Sequence, residues 1–124
     1  MAYIPIETVP YFEAAIYLPM LLIVLEKDYT EIENGQFKFK GPYIYLIEEA
    51  RRNVEIDLKN TKAYLRKHQL KVVRKSRDDL FSEYEFHYAG TLEIRRYANI
   101  RLRNHVEELL KLYLKKALIS YSNG

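Results

Sequence analysis

The chain has 124 residues, of which 48% are hydrophobic and 30% are charged, and its formal net charge is +3. With only four glycines and four prolines, this composition indicates an ordered globular protein rather than a linker or a disordered tail. A chain of this length is expected to form one domain, residues 1–124, with a core that needs no disulfide or metal ion. The absence of cysteine excludes disulfides, thiolate nucleophiles and cysteine-ligated metal sites, and it is typical of cytoplasmic proteins.

Charge is unevenly distributed along the sequence. Residues 1–34 contain one lysine and six acidic residues, whereas residues 35–70 and residues 71–124 each carry more bases than acids. An acidic segment and a basic remainder can complement each other within one fold or across a dimer. The twelve tyrosines, with no tryptophan, suit half-buried positions at edges and interfaces.

The first predicted element is a long apolar helix over about residues 8–33. Thr8 is placed to cap it, and Gly35 is placed to end it. Between them, Ala14–Leu25 contains no charged residue and is apolar around the whole helical circumference. Pro19 removes one backbone hydrogen bond inside this run, so a bend is expected there.

The same apolar run could be taken for a secretion signal or a membrane span. A secretion signal begins with positive residues, but the first Lys or Arg of this chain is Lys27. Glu13 and Glu26 bracket a run that is shorter than the roughly 20 apolar residues needed to cross a bilayer. We therefore expect no membrane association and a cytoplasmic location.

The first helix instead predicts a protein partner, because it has no water-facing side. Each large apolar side chain left exposed forfeits about 1.5–3 kcal/mol, so a second copy of the chain is expected to cover what the fold leaves open. The alternative is a central helix that is wrapped fully within one chain. The residues predicted to form the self-association surface are Ile16, Met20, Ile23 and Val24.

A second helix and a β-hairpin are predicted next. Phe37 and Phe39 alternate with lysines and could form either a short strand or an ordered connection. Apolar residues at helical spacing then predict a helix over about residues 42–70. Alternation of aromatic and charged residues predicts a β-hairpin over about residues 71–89, with its turn at Asp78.

The last predicted element is a helix over about residues 92–121, which Thr91 could cap. The expected fold class is therefore α+β and predominantly α, with three long helices and a β-hairpin between helices 2 and 3.

No residue pattern typical of catalysis or of cofactor binding occurs in the sequence. The three histidines, His68, His87 and His105, lie on different predicted elements, and adjacent carboxylates along the chain point in diverging directions. We therefore predict no catalytic residue, metal ligand or cofactor. The sequence favours a non-catalytic, self-associating interaction or accessory protein whose partners include another copy or another protein. A hydrolase with an unrecognised site stays open as a third alternative.

Basic residues indicate the main competing function, nucleic-acid binding. A helix, a basic hairpin and a long last helix follow one another as in winged-helix proteins, where the hairpin contacts phosphates. The alternative is that these bases pair with neighbouring glutamates as a solvated face. The predicted nucleic-acid contacts, on the hairpin and the start of helix 3, are Lys71, Arg74, Lys75, Arg77, Arg95, Arg96 and Arg103.

Short motifs spread over most of the chain carry a family resemblance. They are Tyr17-Leu18-Pro19, Glu26-Lys27-Asp28, Pro42-Tyr43, Leu65-Arg66-Lys67-His68 leading into Lys71-Val72, and Tyr88-Ala89-Gly90. With them the chain resembles a group of small uncharacterised cytosolic proteins of Bacillus-type bacteria and their phages. The resemblance implies a bacterial or phage origin and a cytosolic location, and it implies no activity, ligand or site residue.

Overall fold

The structure is a computed structural model that describes residues 4–123, which form three long helices and one antiparallel sheet. The prediction of three helices with β structure between helices 2 and 3 is confirmed. The elements in chain order are a short 3-10 helix (Ile6–Thr8), α1 (Val9–Asn34), α2 (Lys40–Lys67), β1 (Leu70–Arg77), β2 (Phe81–Tyr88), β3 (Thr91–Ala98) and α3 (Asn99–Asn123).

The β structure is a three-stranded meander rather than the predicted simple hairpin. Ala89 and Gly90 both have positive φ, 48° and 78°, and form a two-residue turn that sends the chain back antiparallel to β2. Residues 91–98 therefore become β3, and α3 begins at Asn99 instead of at about residue 92. The predicted helix start was wrong because a Thr followed by a Glu suits both a helix cap and a strand after a tight turn.

The strands are ordered β1-β2-β3, so β1 and β3 form the two edges of the sheet. The register of β1 against β2 shifts between Arg74 and Ser76, which makes Lys75 the extra residue of a bulge. The pairing of β2 with β3 is unbroken from Phe81 to Tyr88. One face of the sheet packs against the helices, and the other face is open.

The start and end of α1 differ in part from the sequence expectation. The Thr8 hydroxyl donates a hydrogen bond to the Pro5 carbonyl (2.6 Å) and makes no capping bond to the helix. The helix continues through Pro19 and stops before Gly35, as predicted. Residues 35–39 form a connection and not a strand, with Phe37 and Phe39 exposed.

Two clusters of buried side chains hold the helices and the sheet together. The sheet-end core joins all three helices and the sheet, and within it the rings of Phe12 and Phe86 stack with centroids 4.5 Å apart. The helical core lies further from the sheet and includes Leu21, Leu25 and Val54, all fully buried. The meander therefore covers one end of a bundle of three helices.

One helical segment in the described part of the chain, Ile6–Asn34, is long and apolar enough to cross a membrane. Of its most apolar stretch, 33% is buried inside the fold. A core helix of a soluble protein passes the same test of length and composition. The expectation of no membrane association stays a prediction.

Candidate interaction surfaces

A groove runs along α3 beside α1, and its first hollow is also lined by the start of α2. It consists of two adjoining hollows of about 300 and 350 Å³, which share the side chain of Leu110. Its other lining residues are Leu25, Asp28, Glu31, Ile32, Tyr43, Leu46, Ile47 and Leu114 in the first hollow, and Val24, Arg103, Asn104, Val106 and Glu107 in the second. We call this surface the α1–α3 groove.

The four residues predicted for self-association are placed at different depths. Ile16 is only 4% exposed and packs in the sheet-end core. Its own chain covers it, so the prediction that it belongs to the self-association surface is wrong. Met20 is half-buried between the two cores. Val24 is half-buried and lines the α1–α3 groove, while Ile23 beside it is 56% exposed. The available apolar surface of α1 is thus centred on Ile23 and Val24.

The charged residues of the α1–α3 groove are separated along its length. Asp28 and Glu31, from the C-terminal half of α1, line the hollow farther from the sheet. Arg103, from the first turns of α3, lines the hollow nearer the sheet, together with Glu107. The floor between them is apolar.

The residues predicted to contact nucleic acid fall into three separate places. The four on β1, Lys71, Arg74, Lys75 and Arg77, are all exposed along one edge of the sheet. Arg95 and Arg96 lie on β3, and Arg103 lines the α1–α3 groove.

Arg95 and Arg96 belong to β3 and not to the start of the third helix. The Nε of Arg95 donates to the Oε1 of Glu93 at 2.7 Å, and the guanidinium lies over the Phe86 ring. Arg96 points to the open face of the sheet, where its guanidinium lies 3.8 Å from the centroid of the Phe81 ring. Arg95 and Arg103 therefore lie apart from the bases of β1, whereas Arg96 shares the open face of the sheet with Lys71.

The exposed bases of β1 continue a longer basic segment that begins near the end of α2. Residues 58–77 contain no Asp or Glu, and all eight of their Lys and Arg side chains are exposed. None of these eight takes part in an ion pair described within residues 4–123. The sequence feature that could have identified this segment is the absence of Asp and Glu from the end of α2 and all of β1. The four bases it adds to β1 are Lys59, Lys62, Arg66 and Lys67. We call residues 58–77 the acid-free basic segment.

The three histidines belong to different parts of the fold, with His68 directly after α2, His87 on β2 and His105 on α3. His68 packs on the Tyr64 ring, His105 packs on the Tyr17 ring, and the Nε2 of His87 lies 3.1 Å from the Oε1 of Glu85. Over the part of the chain that the structure describes, there is no group of three or more His, Cys, Asp or Glu that could hold a metal ion.

Two tyrosine hydroxyls link distant elements through carboxylates. The Tyr97 hydroxyl on β3 donates to the Oε2 of Glu13 on α1 at 2.9 Å, and the Tyr113 hydroxyl on α3 donates to Asp57 on α2. Burial first, and then the bonded carboxylate, raises the pKa of each phenol well above its usual value. Both phenols therefore stay protonated as hydrogen-bond donors, which suits a structural link between elements.

Comparison with known proteins assigns the family. No solved structure matches the chain. The uncharacterised protein YhjD of Bacillus subtilis (strain 168) is 37% identical over 102 residues, which cover 82% of this chain and 85% of that protein. This relative confirms the resemblance to small proteins of Bacillus-type bacteria, whereas an occurrence in phages stays a prediction. The family model for YhjD protein matches residues 3–118, and the chain therefore belongs to the YhjD family.

Proposed function

We propose that this protein is a non-catalytic, cytoplasmic interaction protein that forms a homodimer through the α1–α3 groove. The observation that carries the proposal is the 56% exposure of Ile23 in the middle of the most apolar helix, next to Val24 in the groove. Ile23 lines neither hollow itself, but its neighbours Val24 and Leu25 do, so it lies at the border of the groove. Water contact at such an isoleucine is unfavourable, and a second copy offers the same apolar surface in return.

The charges of the groove support a two-fold arrangement. An isologous contact with antiparallel grooves would bring Arg103 of one copy towards Asp28 and Glu31 of the other. The pairing of unlike charges then occurs twice, once at each end of the interface. A parallel arrangement would place the acidic ends together, which is unfavourable.

Ile23 sets the expected size of the effect. Full burial of an isoleucine side chain is worth about 1.5–3 kcal/mol, so covering the exposed half contributes about 1–1.5 kcal/mol per copy. Because the interface is two-fold, replacing Ile23 by Asp counts twice and weakens the dimer by at least about 2–3 kcal/mol, or roughly 30- to 150-fold in Kd.

The test measures molar mass by light scattering after size exclusion at micromolar concentration, without detergent. We expect a dimer for the wild type, a monomer for Ile23→Asp, and an unchanged dimer for Ile56→Asp. Ile56 is the matched control because it is 50% exposed on α2 and neither it nor its chain neighbours line the groove, whereas both Val24 and Leu25 beside Ile23 do. A monomeric wild type, or equal effects of the two substitutions, would contradict the proposed interface.

The acid-free basic segment favours nucleic-acid binding as a second candidate function. Its eight exposed bases lie outside the described ion pairs, so a polyanion would not have to displace internal partners. Exposed bases that bind phosphates release counterions, and affinity then falls steeply as the salt concentration rises. The phosphate contacts would then lie on α2 and β1 and would not include Arg95, Arg96 or Arg103.

Fluorescence anisotropy with labelled DNA and RNA at low and moderate salt tests this second candidate. We expect salt-sensitive binding that Arg74→Glu combined with Arg77→Glu weakens at least tenfold. The matched control is Lys115→Glu with Lys116→Glu, which removes the same charge from exposed positions near the end of α3. No binding at low salt, or equal losses in both double variants, would argue against it.

A further inference from the structure

The two edges of the sheet differ in how they are protected against pairing with another strand. On β1, a bulge at Lys75 interrupts the ladder, and four Lys or Arg side chains line the strand. Bulges and charges of this kind are the features by which natural sheets prevent edge-to-edge association. The β3 edge has eight residues in unbroken register with β2 and no bulge. The β3 edge is therefore the open one.

The backbone of β3 presents free hydrogen-bonding groups on this edge. In a hairpin with a two-residue turn, the residues that flank the turn bond to each other, so the N–H and C=O of Thr91 point to β2. Alternation along the strand then directs the N–H and C=O groups of Leu92, Ile94 and Arg96 away from β2. Among the residues described, none of these three makes a backbone bond outside the strand ladder.

The side chains of the same three residues are also accessible. Leu92 is 47% exposed and Ile94 is 40% exposed, and both lie with Arg96 on the open face of the sheet. On the opposite face of the strand, Glu93 and Arg95 form an ion pair that is about one-third exposed. The edge thus combines two exposed apolar side chains with the Glu93–Arg95 ion pair and the further positive charge of Arg96.

We propose that β3 pairs antiparallel with β3 of a second copy, in the register that places Ile94 opposite Ile94. The two-fold axis then brings Glu93 of each copy opposite Arg95 of the other, which joins both ion pairs into one ring of alternating charge. Leu92 falls opposite Arg96. The three outward residues of each strand would form about six backbone hydrogen bonds.

Neighbouring registers are worse for electrostatic reasons. Centring the axis on Glu93 places the two copies of Glu93 opposite each other, and centring it on Arg95 does the same for two arginines. A shift of one residue further towards either end shortens the ladder. The register centred on Ile94 is therefore favoured by the order of charges in the strand itself.

This surface is distinct from the α1–α3 groove, and we expect it to pair more weakly, above the micromolar range in which the groove sets the molar mass. Cross-linking of the full chain with a mild added oxidant traps such a weak pair and therefore tests it. The chain has no cysteine, so Ile94→Cys introduces a single thiol. Opposed residues in such a pair have Cα atoms about 5.5 Å apart, within the range that a disulfide spans. Leu92→Cys is the matched control, because its two copies would lie about 13 Å apart along the strands. We expect disulfide dimers at position 94 to form at least about tenfold faster than at position 92.

Charge reversal supplies a second measurement. Glu93→Arg or Arg95→Glu in the Ile94→Cys chain should slow disulfide formation about tenfold, and the combined swap should restore it. Repeating the cross-link in a chain that also carries Ile23→Asp separates the two surfaces. If the groove dimer is lost and the cross-link at position 94 remains, the β3 edges pair independently of the groove. Equal rates at positions 92 and 94, or no rescue by the swap, would overturn the proposal. Absence of any cross-link at position 94 would likewise overturn it and leave the edge to a strand of a different protein.

Discussion

The stacked rings of Phe12 and Phe86 provide the most direct test of how α1 docks on the sheet. Both side chains are fully buried, and their ring planes are within 5° of parallel. Replacing either by leucine keeps the site apolar but removes the ring face on which the other ring lies. We therefore propose a double-mutant cycle with Phe12→Leu, Phe86→Leu and the combined variant.

The expected energies follow from burial and from the stacking geometry. Each single substitution leaves a small void and should lower the free energy of unfolding by about 1–2 kcal/mol. An aromatic pair contributes about 0.5–1.5 kcal/mol beyond its buried area. The double variant should therefore be less destabilised than the sum of the singles by that amount.

Urea denaturation followed by circular dichroism measures these quantities, at a protein concentration where the wild type does not change oligomeric state. Phe39→Leu is the control, since Phe39 is 69% exposed and the change should stay within about 0.5 kcal/mol. A coupling energy below about 0.3 kcal/mol would refute direct packing of the two rings.

Three further predictions concern the links between elements. The pKa of Tyr97 in the folded protein lies above the unfolded value of about 10, so its contribution to stability is complete below that pH and is lost as the pH rises. The free energy of unfolding, measured with urea at several alkaline pH values, should therefore fall less steeply with pH in Tyr97→Phe than in the wild type. An equally steep fall in both would contradict this. Asn99 accepts a hydrogen bond from the buried Ser82 hydroxyl (2.7 Å), so Asn99→Ala should cost about 1–3 kcal/mol in urea unfolding; equal costs with and without Ser82→Ala would argue against that bond. Gly90→Ala at φ 78° should cost about 1–2 kcal/mol by thermal denaturation, and a neutral result would exclude the left-handed turn.

The long helices could be predicted from the sequence because apolar spacing and helix-ending residues such as glycine act locally. Gly35 stops α1 within a residue of the expected end, and the apolar spacing of α2 from Ile47 to Leu65 matches its buried positions. The third strand could not be separated from a helix start by local preference alone. The Ala89-Gly90 turn decides it, because two residues of positive φ return the chain beside β2.

The candidate surfaces were only partly predictable for a different reason. Uniform apolarity identified α1 but could not tell which side its own chain covers, and Ile16 proved buried while Ile23 is exposed. The four basic residues of β1 are exposed at one edge of the sheet, and their contact with nucleic acid stays a prediction. The edge position of β3 depends on strand order, which is a tertiary property.

The order of the strands also bears on how the chain folds during synthesis. β1, β2 and β3 are consecutive in the sequence, so the sheet closes only short loops and is expected to form early. Its packing against α1 instead joins residues as distant as Phe12 and Phe86. Because α1 leaves the ribosome before the helices and strands that cover it, its apolar face stays exposed longest in the nascent chain. That segment is where we expect chaperones to bind and aggregation to begin.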